Sequence, residues 1–305
     1  MSNKPVKVGL LGLGTVGTGV VRIVEGHQED LSGQVGSPIV IEKISVKDRE
    51  KSRNIPIDPS QLTDDPWEVI RDPEIDVIVE VMGGVEQTRT YVLEALAQGK
   101  HIVTANKDLM ALYGTEILAK AQEMQCDVFY EASVAGGIPI IRTLIEGFSS
   151  DRITKIVGIV NGTTNYMLTK MSKEGVSYDA VLKEAQELGY AESDPTSDVE
   201  GLDAARKMTI LGTLGFRTNV ELADVNVKGI SGVSQADIAY AKNLGYEVKL
   251  LGIAEREDDA ISISVQPTMV RASHPIASVN GVFNAVYVYG EAVGETMFYG
   301  AGAGE

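Results

Sequence analysis

Asp203 and Lys207 are a carboxylate and an ammonium group four residues apart, in a segment whose apolar spacing predicts a helix over 198–211. Side chains at this spacing lie on the same helix face. Such a pair is usually solvent-exposed and worth roughly a few tenths of a kcal/mol. Here Val199 and Ile210 fall on the same predicted face, which indicates that the pair lies at the edge of a cleft or is partly buried. A lysine in those surroundings is a candidate proton donor or acceptor.

Polar groups also precede this helix. Glu192, Asp194 and Asp198 stand in one loop. Two fragments elsewhere, 130–139 and 161–165, combine glycines with polar residues at the start of a predicted helix. Both can line a polar pocket, and both are equally typical of helix caps and turns.

A G-x-G-x-x-G turn follows the first apolar segment and opens a predicted helix. In this pattern Gly12 permits a tight turn, Gly14 lets the backbone approach a pyrophosphate, and Gly17 lets the helix lie close to the strand. The helix N-terminus adds free N–H groups and a partial positive charge. The turn therefore predicts a dinucleotide site, whose other members are Leu13, Thr15 and Val16.

The end of the second predicted strand bears on the choice of nucleotide. An acidic residue there binds the ribose hydroxyls of NAD, whereas basic residues accommodate the 2′-phosphate of NADP. Lys47 and Arg49 favour NADP, and Asp48 between them keeps NAD open. A solvated charged loop is an equally good interpretation of the same residues.

Two later strands end in segments that can face the same ligand. Gly83 follows the third predicted strand, and Lys107 follows the fourth. The carboxyl ends of parallel strands face the ligand crevice of an open α/β sheet. Lys107 can therefore reach substrate or cofactor, although a lysine at a helix start is often only solvated.

Strand-like and helix-like segments alternate over the first 130 residues, which predicts a Rossmann-type doubly wound parallel sheet. The predicted strands are 6–11, 39–46, 76–81, 101–104 and 127–130, and the helices are 15–28, 88–98 and 113–125. The later chain mixes helices over 137–147, 178–188 and 198–211 with antiparallel strands over 246–255, 260–266, 282–289 and 292–299. Asp258 and Asp259 are predicted to form a hairpin turn.

These segments predict an α/β protein with two domains. Residues 1–130 form the dinucleotide-binding domain, and residues 131–299 form an α+β domain for catalysis and dimerisation. Residues 300–305 are expected to return to the first domain.

Composition restricts the function further. The chain has 305 residues, with 27 Lys plus Arg against 43 Asp plus Glu, and a formal net charge of −16. This balance argues against duplex nucleic acid and anionic membranes as partners. The single cysteine, Cys126, excludes an intrachain disulfide, and three scattered histidines disfavour serine hydrolysis and catalytic zinc. With no apolar run long enough for a membrane span, we expect a soluble, cytoplasmic protein.

Several long motifs resemble homoserine dehydrogenases. They are GLGTVG at 12–17 with its preceding strand, TANK at 104–107, YEASVAGGIPIIR at 130–142, NGTTNY at 161–166 and GYAESDPTSDVEGLDAARK at 189–207. The resemblance covers nearly the whole chain. It implies NAD(P)-dependent interconversion of L-homoserine and L-aspartate 4-semialdehyde, a step toward threonine and methionine. Because the family usually continues past YGAGAG, often into a regulatory domain, we expect a longer natural form.

The resemblance also implies roles for individual residues. The family's catalytic lysines correspond to Lys107 and Lys207. The substrate-binding positions correspond to Tyr190, Glu192, Asp198, Asp203, Gly162 and Thr163, and Gly302 corresponds to a cofactor-binding position. The family's sodium site corresponds to Glu131 and the carbonyl groups of Val134, Gly136 and Ile138. A homodimer is expected by the same analogy.

Two other functions fit the domain pattern. One is a different two-domain NAD(P)-dependent reductase; an acylating enzyme would need a thiol nucleophile, and Cys126 has no evident histidine partner. The other is a non-catalytic NADP-sensing protein. The presence of Lys107, Glu192, Asp203 and Lys207 counts against a sensor.

Overall fold

A computed structural model describes residues 4–258 and 260–304. Its contacts divide the chain into two compact units, which meet in the sequence between Ser133 and Val134. The first unit ends at Ser133, three residues beyond the predicted boundary, and the second extends to Gly304. Among the described residues, no helix combines the length and apolar character needed to cross a bilayer.

The first unit contains a six-stranded sheet in which every neighbouring pair is parallel. The strands are β1 (Val6–Leu11), β2 (Ile39–Ser45), β3 (Leu62–Thr63), β4 (Val77–Glu80), β5 (His101–Thr104) and β6 (Val128–Phe129). Their order is β3-β2-β1-β4-β5-β6. The strand order reverses direction between β1 and β4, which is where ligands bind in such sheets. The predicted Rossmann-type sheet is confirmed.

Five helices connect these strands: α1 (Thr15–Gly26), α2 (Gln28–Val35), α3 (Pro66–Ile70), α4 (Glu86–Ala97) and α5 (Lys107–Met124). Leu10, Ile44 and Val79 are buried in the core of the sheet. The predicted helix over 113–125 was too short, because α5 begins six residues earlier. The Asn106 side chain starts it by accepting a hydrogen bond from the Leu109 N–H at 3.1 Å.

The second unit contains a mixed sheet in the order β12-β11-β7-β9-β10-β8. Its strands are β7 (Ile153–Ile159), β8 (Asn226–Val227), β9 (Tyr246–Glu257), β10 (Ala260–Arg271), β11 (Phe283–Gly290) and β12 (Gly294–Ala301). All neighbouring pairs are antiparallel except β10 with β8. The sequence prediction missed β7, a central strand whose apolar residues read equally well as helix.

The helices of this unit are α6 (Ile140–Arg142), α7 (Gly162–Glu174), α8 (Tyr178–Glu187), α9 (Thr196–Val199), α10 (Leu202–Phe216) and α11 (Gln235–Asn243). The predicted helix over 198–211 is wrong as one element. Gly201 has a φ of +79° between α9 and α10, so Val199 is not on the Asp203 helix. The predicted helix over 137–147 begins later, at Ile140, and α6 passes into a single π turn at Thr143–Gly147.

Two predictions concern the ends of β9 and β12. Residues 300–304 belong to the second unit rather than the first, because Gly300 and Ala301 extend β12. Glu305 lies outside the described residues. In the predicted hairpin, Asp258 has a φ of +53°, and Asp259 lies outside the described residues.

Candidate active site

Lys207 lies in the second turn of α10 and is held by two acceptors. Its Nζ donates to Asp203 Oδ2 at 2.7 Å and to the Val160 carbonyl oxygen at 2.7 Å. The Lys207 side chain is 13% exposed and the Asp203 side chain is 9% exposed. The pair is therefore partly buried and differs from a weak surface ion pair, although Val199, one of the two residues that indicated burial, is not on the same helix.

Asn161 connects this ion pair to a second carboxylate. Its Nδ2 donates to Asp203 Oδ2 at 2.9 Å and to Asp198 Oδ1 at 2.7 Å. Burial raises the pKa of Asp198, and the nearby Asp203 carboxylate raises it further, while the hydrogen bond from Asn161 and the charge of Lys207 oppose the shift. The structure therefore concentrates two carboxylates, an amide and one ammonium group in a small region.

The sequence 161–163 fixes this region through local constraints. Asn161 is the N-cap of α7, and its Oδ1 accepts from the Thr164 N–H at 2.9 Å. A side chain on Gly162 would place its Cβ 2.8 Å from the Val282 carbonyl oxygen, so only glycine fits there. Thr163 Oγ1 donates to the Tyr190 carbonyl oxygen at 2.6 Å, which brings the 190 loop to the same helix start.

Glu192 occupies a different environment from the other predicted substrate residues. Its side chain is exposed, and its carbonyl oxygen accepts from Gln186 Nε2 at 3.1 Å. Tyr190, two residues earlier, is 43% exposed and lies edge-on to Tyr166. The structure thus brings together Gly162, Thr163, Tyr190, Asp198, Asp203 and Lys207, and leaves the Glu192 carboxylate at the surface of the loop.

The glycine turn of the first unit gives each glycine a separate steric role. Gly12 has a φ of +101°, and a Cβ there would lie 2.7 Å from the Val81 carbonyl oxygen. A Cβ on Gly17 would overlap the Gly12 carbonyl oxygen. Gly14, by contrast, faces open space, where a pyrophosphate can approach the start of α1. Among the neighbouring positions, Leu13 is half-buried, and Thr15 and Val16 are exposed.

The basic residues after β2 are exposed, which fits both a solvated loop and a phosphate site. Lys47 and Arg49 have exposed side chains. Asp48 Oδ1 accepts from the Glu50 N–H at 2.9 Å, and Arg53 Nη2 donates to the Asp48 carbonyl oxygen at 2.6 Å. One oxygen of the Asp48 carboxylate therefore accepts a hydrogen bond within the loop.

The loops after β4 and β5 are tied to each other. Gly83 has a φ of +73°, and Thr88 Oγ1 donates to its carbonyl oxygen at 2.7 Å. Asn106 Nδ2 donates to the Gly84 carbonyl oxygen at 2.8 Å, immediately before Lys107. Sequence reasoning missed the buried Glu80 beneath these loops, although a glutamate inside the apolar run DVIVEV was a usable signal.

Comparisons with known proteins agree over both units. A family profile described as "Homoserine dehydrogenase, NAD binding domain" matches residues 12–131, and one described as "Homoserine dehydrogenase" matches residues 139–305. The homoserine dehydrogenase of Bacillus subtilis (strain 168) is 62% identical over 301 residues, which are 99% of this chain and 70% of that protein. The chain belongs to the homoserine dehydrogenase family.

Solved structures of homoserine dehydrogenases show the same fold. The enzyme from Thiobacillus denitrificans matches with a TM-score of 0.95 and 47% identity, covering 99% of this chain and 70% of that one. A hyperthermophilic archaeal homoserine dehydrogenase in complex with NADPH matches with a TM-score of 0.82 and 28% identity, covering 98% and 92% of the two chains. Family membership makes this chain a nicotinamide-dependent oxidoreductase that acts on a CH–OH group.

The four residues that the sequence resemblance assigned to a sodium ion lie in one continuous segment of the chain. Glu131 begins a single 3-10 turn in the first unit, while Val134, Gly136 and Ile138 belong to the second. The Gly136 N–H donates to the Gly302 carbonyl oxygen at 3.1 Å. Within the described ranges, no group of three or more His, Cys, Asp or Glu residues is arranged to hold a metal ion.

A buried lysine of the second unit contacts α7, where its Nζ donates to Asn165 Oδ1 at 3.3 Å. Lys249 is 1% exposed, and its Nζ donates to the Val279 carbonyl oxygen at 2.5 Å and to Asn280 Oδ1 at 3.2 Å. Asn165 of α7 donates to the Gly281 carbonyl oxygen at 2.9 Å. Burial lowers the pKa of Lys249 from 10.5 to about 8, with Lys173 lowering it further and Glu247 opposing the shift.

This buried amine predicts a pH-dependent stability. Between the folded pKa of about 8 and the unfolded value of 10.5, the unfolded chain binds a proton that the folded chain does not. The free energy of unfolding therefore rises with pH in this range, and the cost of burying the charge is fully present below it. Lys249→Met removes this dependence. We expect the free energy of unfolding of the parent chain, minus that of the variant, to grow by about 1–2 kcal/mol from pH 7 to pH 9.5 in urea titrations. A constant difference would contradict the assignment.

Proposed function

We propose that this chain interconverts L-homoserine and L-aspartate 4-semialdehyde by hydride transfer with a nicotinamide nucleotide. The observation that carries the proposal is the partly buried Asp203–Lys207 ion pair, fixed by Asn161 and the Val160 carbonyl oxygen, in a chain of the homoserine dehydrogenase family. The reaction stands in threonine and methionine biosynthesis by the same family argument.

Lys207 is suited to the proton transfer of this reaction. When bound, the reduced nicotinamide supplies a hydride to the aldehyde carbon, and the carbonyl electron pair moves to oxygen. An ammonium group has three N–H donors. Among the described residues, Lys207 donates two hydrogen bonds, one to Asp203 and one to the Val160 carbonyl oxygen. The third can donate to the substrate oxygen, stabilise its developing charge and deliver the proton that completes the hydroxyl group.

The other predicted site residues receive supporting roles. Lys107, the first residue of α5, orients the substrate. Asp203, Asp198 and Glu192 supply negative charge for the substrate amino group or hydrogen bonds for its hydroxyl. Tyr190, Gly162 and Thr163 shape the surrounding turn. Because the Glu192 side chain is exposed, its loop must move for this carboxylate to reach a bound substrate.

A test of Lys207 uses homoserine-dependent reduction of NADP⁺, followed by absorbance of the reduced nicotinamide. Lys207→Ala is expected to lower kcat by about a hundredfold or more, because the general acid–base group is removed. Lys183→Ala, at a lysine 78% exposed on α8, is the matched control and should retain the parental rate. A near-parental kcat in Lys207→Ala would remove this lysine from the mechanism. Absence of homoserine-dependent reduction in the parent chain would instead favour another reductase or an NADP-sensing protein.

We propose NADP as the preferred nucleotide, with NAD also accepted. The exposed Lys47 and Arg49 support this choice, since both can approach a 2′-phosphate beyond β2. The archaeal relative was solved with NADPH.

The double variant Lys47→Gln with Arg49→Gln tests this preference. Losing charge-assisted contacts to the 2′-phosphate is expected to raise KM for NADP⁺ about tenfold or more and KM for NAD⁺ less than about threefold. Lys51→Gln, farther along the same exposed loop, is the control. An equal rise for both nucleotides would show that these residues do not read the phosphate.

We also propose a sodium ion at Glu131 and the carbonyl oxygens of Val134, Gly136 and Ile138, on family grounds. Carbonyl and carboxylate oxygens are suitable ligands for a hard cation. Ala135 has a φ of +49°, and the Ile138 N–H donates to the Ala135 carbonyl oxygen at 2.6 Å, so this segment is a tight turn rather than helix or strand.

The second unit supplies a surface for a homodimer, which we propose as the working form. Val157, Tyr287 and Ile253 are direct neighbours across β7, β11 and β9, and so lie on one sheet face. Met208 of α10 packs at Gly158, on the opposite face. Val157 and Tyr287 are buried, and the partly buried apolar side chains of Ile253, Tyr289 and Met297 pack against them. These partly buried side chains are suited to self-association about a two-fold axis.

The dimer is tested by sedimentation equilibrium. The parent chain is expected at twice the mass of one chain, and Ile253→Glu is expected to shift it to the monomer, because a charge would be buried at the interface. Val293→Glu, at an exposed turn position, should leave the dimer intact. A parent chain that sediments as a monomer at micromolar concentration would contradict the proposal.

A further inference from the structure

Glu80 is a fully buried carboxylate at the last position of β4. Its side chain accepts three hydrogen bonds: Oε1 from the Met82 N–H at 3.0 Å and the Gly83 N–H at 3.3 Å, and Oε2 from Thr104 Oγ1 at 2.6 Å. Burial raises its pKa, and these hydrogen bonds oppose the shift. A buried carboxylate is costly unless its oxygens are satisfied, so the position demands explanation.

The donors of these hydrogen bonds belong to two different loops. Met82 and Gly83 follow β4, whereas Thr104 ends β5. Thr104 Oγ1 in turn accepts from the Asn106 N–H at 3.0 Å. Asn106 caps α5 and donates back to the Gly84 carbonyl oxygen. One side chain therefore links the Gly83 loop to the helix that begins at Lys107.

These loops stand on one half of the first sheet. A doubly wound sheet consists of two mononucleotide-binding halves, which meet where the strand order reverses. The glycine turn after β1 and the basic loop after β2 belong to one half, and the loops after β4 and β5 belong to the other. The first half receives the adenosine part of a dinucleotide, which leaves the nicotinamide part for the second.

We propose that Glu80 is a positioning residue for the nicotinamide half of the cofactor site, acting through the Gly83 loop and the start of α5. It touches neither substrate nor cofactor in this role. The inference rests on the proposed use of a nicotinamide nucleotide and adds to it the residue that sets the shape of one half of that site.

The test compares two ligands with the full chain by calorimetric or fluorescence titration. NADPH contacts both halves, whereas 2′,5′-ADP lacks the nicotinamide part. Glu80→Leu is expected to weaken NADPH binding about tenfold or more and to change 2′,5′-ADP binding less than about twofold. Glu80→Gln retains an oxygen that can accept from the two loop N–H groups, so it should restore most of the NADPH affinity.

A second variant covers the case in which Glu80→Leu does not fold. Thr104→Val removes one donor to the carboxylate and is expected to weaken NADPH binding threefold or more, again without affecting 2′,5′-ADP. Thr63→Val is the matched control, because it makes the same change at the buried end of β3. Equal weakening of both ligands, or no weakening of NADPH, would overturn the positioning role. A parent chain that binds neither ligand would instead overturn the proposed cofactor itself.

Discussion

The ion pair between Asp203 and Lys207 is the constraint on which the second unit depends. A charge removed from water must be met by opposite charge and hydrogen bonds, or the fold loses more free energy than the pair returns. Asn161 and the Val160 carbonyl oxygen meet that need, and both come from the junction between β7 and α7. The chemistry therefore requires α10 to be seated against this junction, and Met208 of α10 packs at Gly158 of β7.

The first unit is subject to a different constraint, because a phosphate must approach its backbone closely. Gly12 and Gly17 leave no room for side chains, and Gly14 leaves room for a ligand. On the other half of the sheet, the buried side-chain oxygens of Glu80 accept hydrogen bonds that shape the loops. Missing side chains after β1 and buried hydrogen bonds after β4 therefore both shape the backbone, on the two sides of the point where the strand order reverses.

Local sequence was sufficient to predict a structural feature where a single local constraint determines that feature. The glycine turn, the bounds of β5 and the helix face shared by Asp203 and Lys207 follow from spacing alone. It was insufficient where tertiary contacts decide. The apolar residues of β7 are interrupted by Thr154 and Lys155, so their spacing fits helix and strand alike. Gly201 breaks a segment that is otherwise helical. Asn161 was visible only as part of a polar turn, because its two carboxylate partners lie 37 and 42 residues away.

The polar residues at these sites both stabilise the local fold and orient functional groups. A substitution can therefore change stability and activity together. Asn161 both caps α7 and orients two carboxylates, so its loss disturbs a helix start together with the charge cluster. Lys207 is different, because its backbone lies inside α10 and its charged partner, Asp203, also accepts a hydrogen bond from Asn161. Chemistry can therefore be assigned most cleanly to a side chain whose charged partner has a second donor, and Lys207 meets this condition. The position of a group in the hydrogen-bond network, more than its burial, determines whether a kinetic loss reports on the reaction or on the fold.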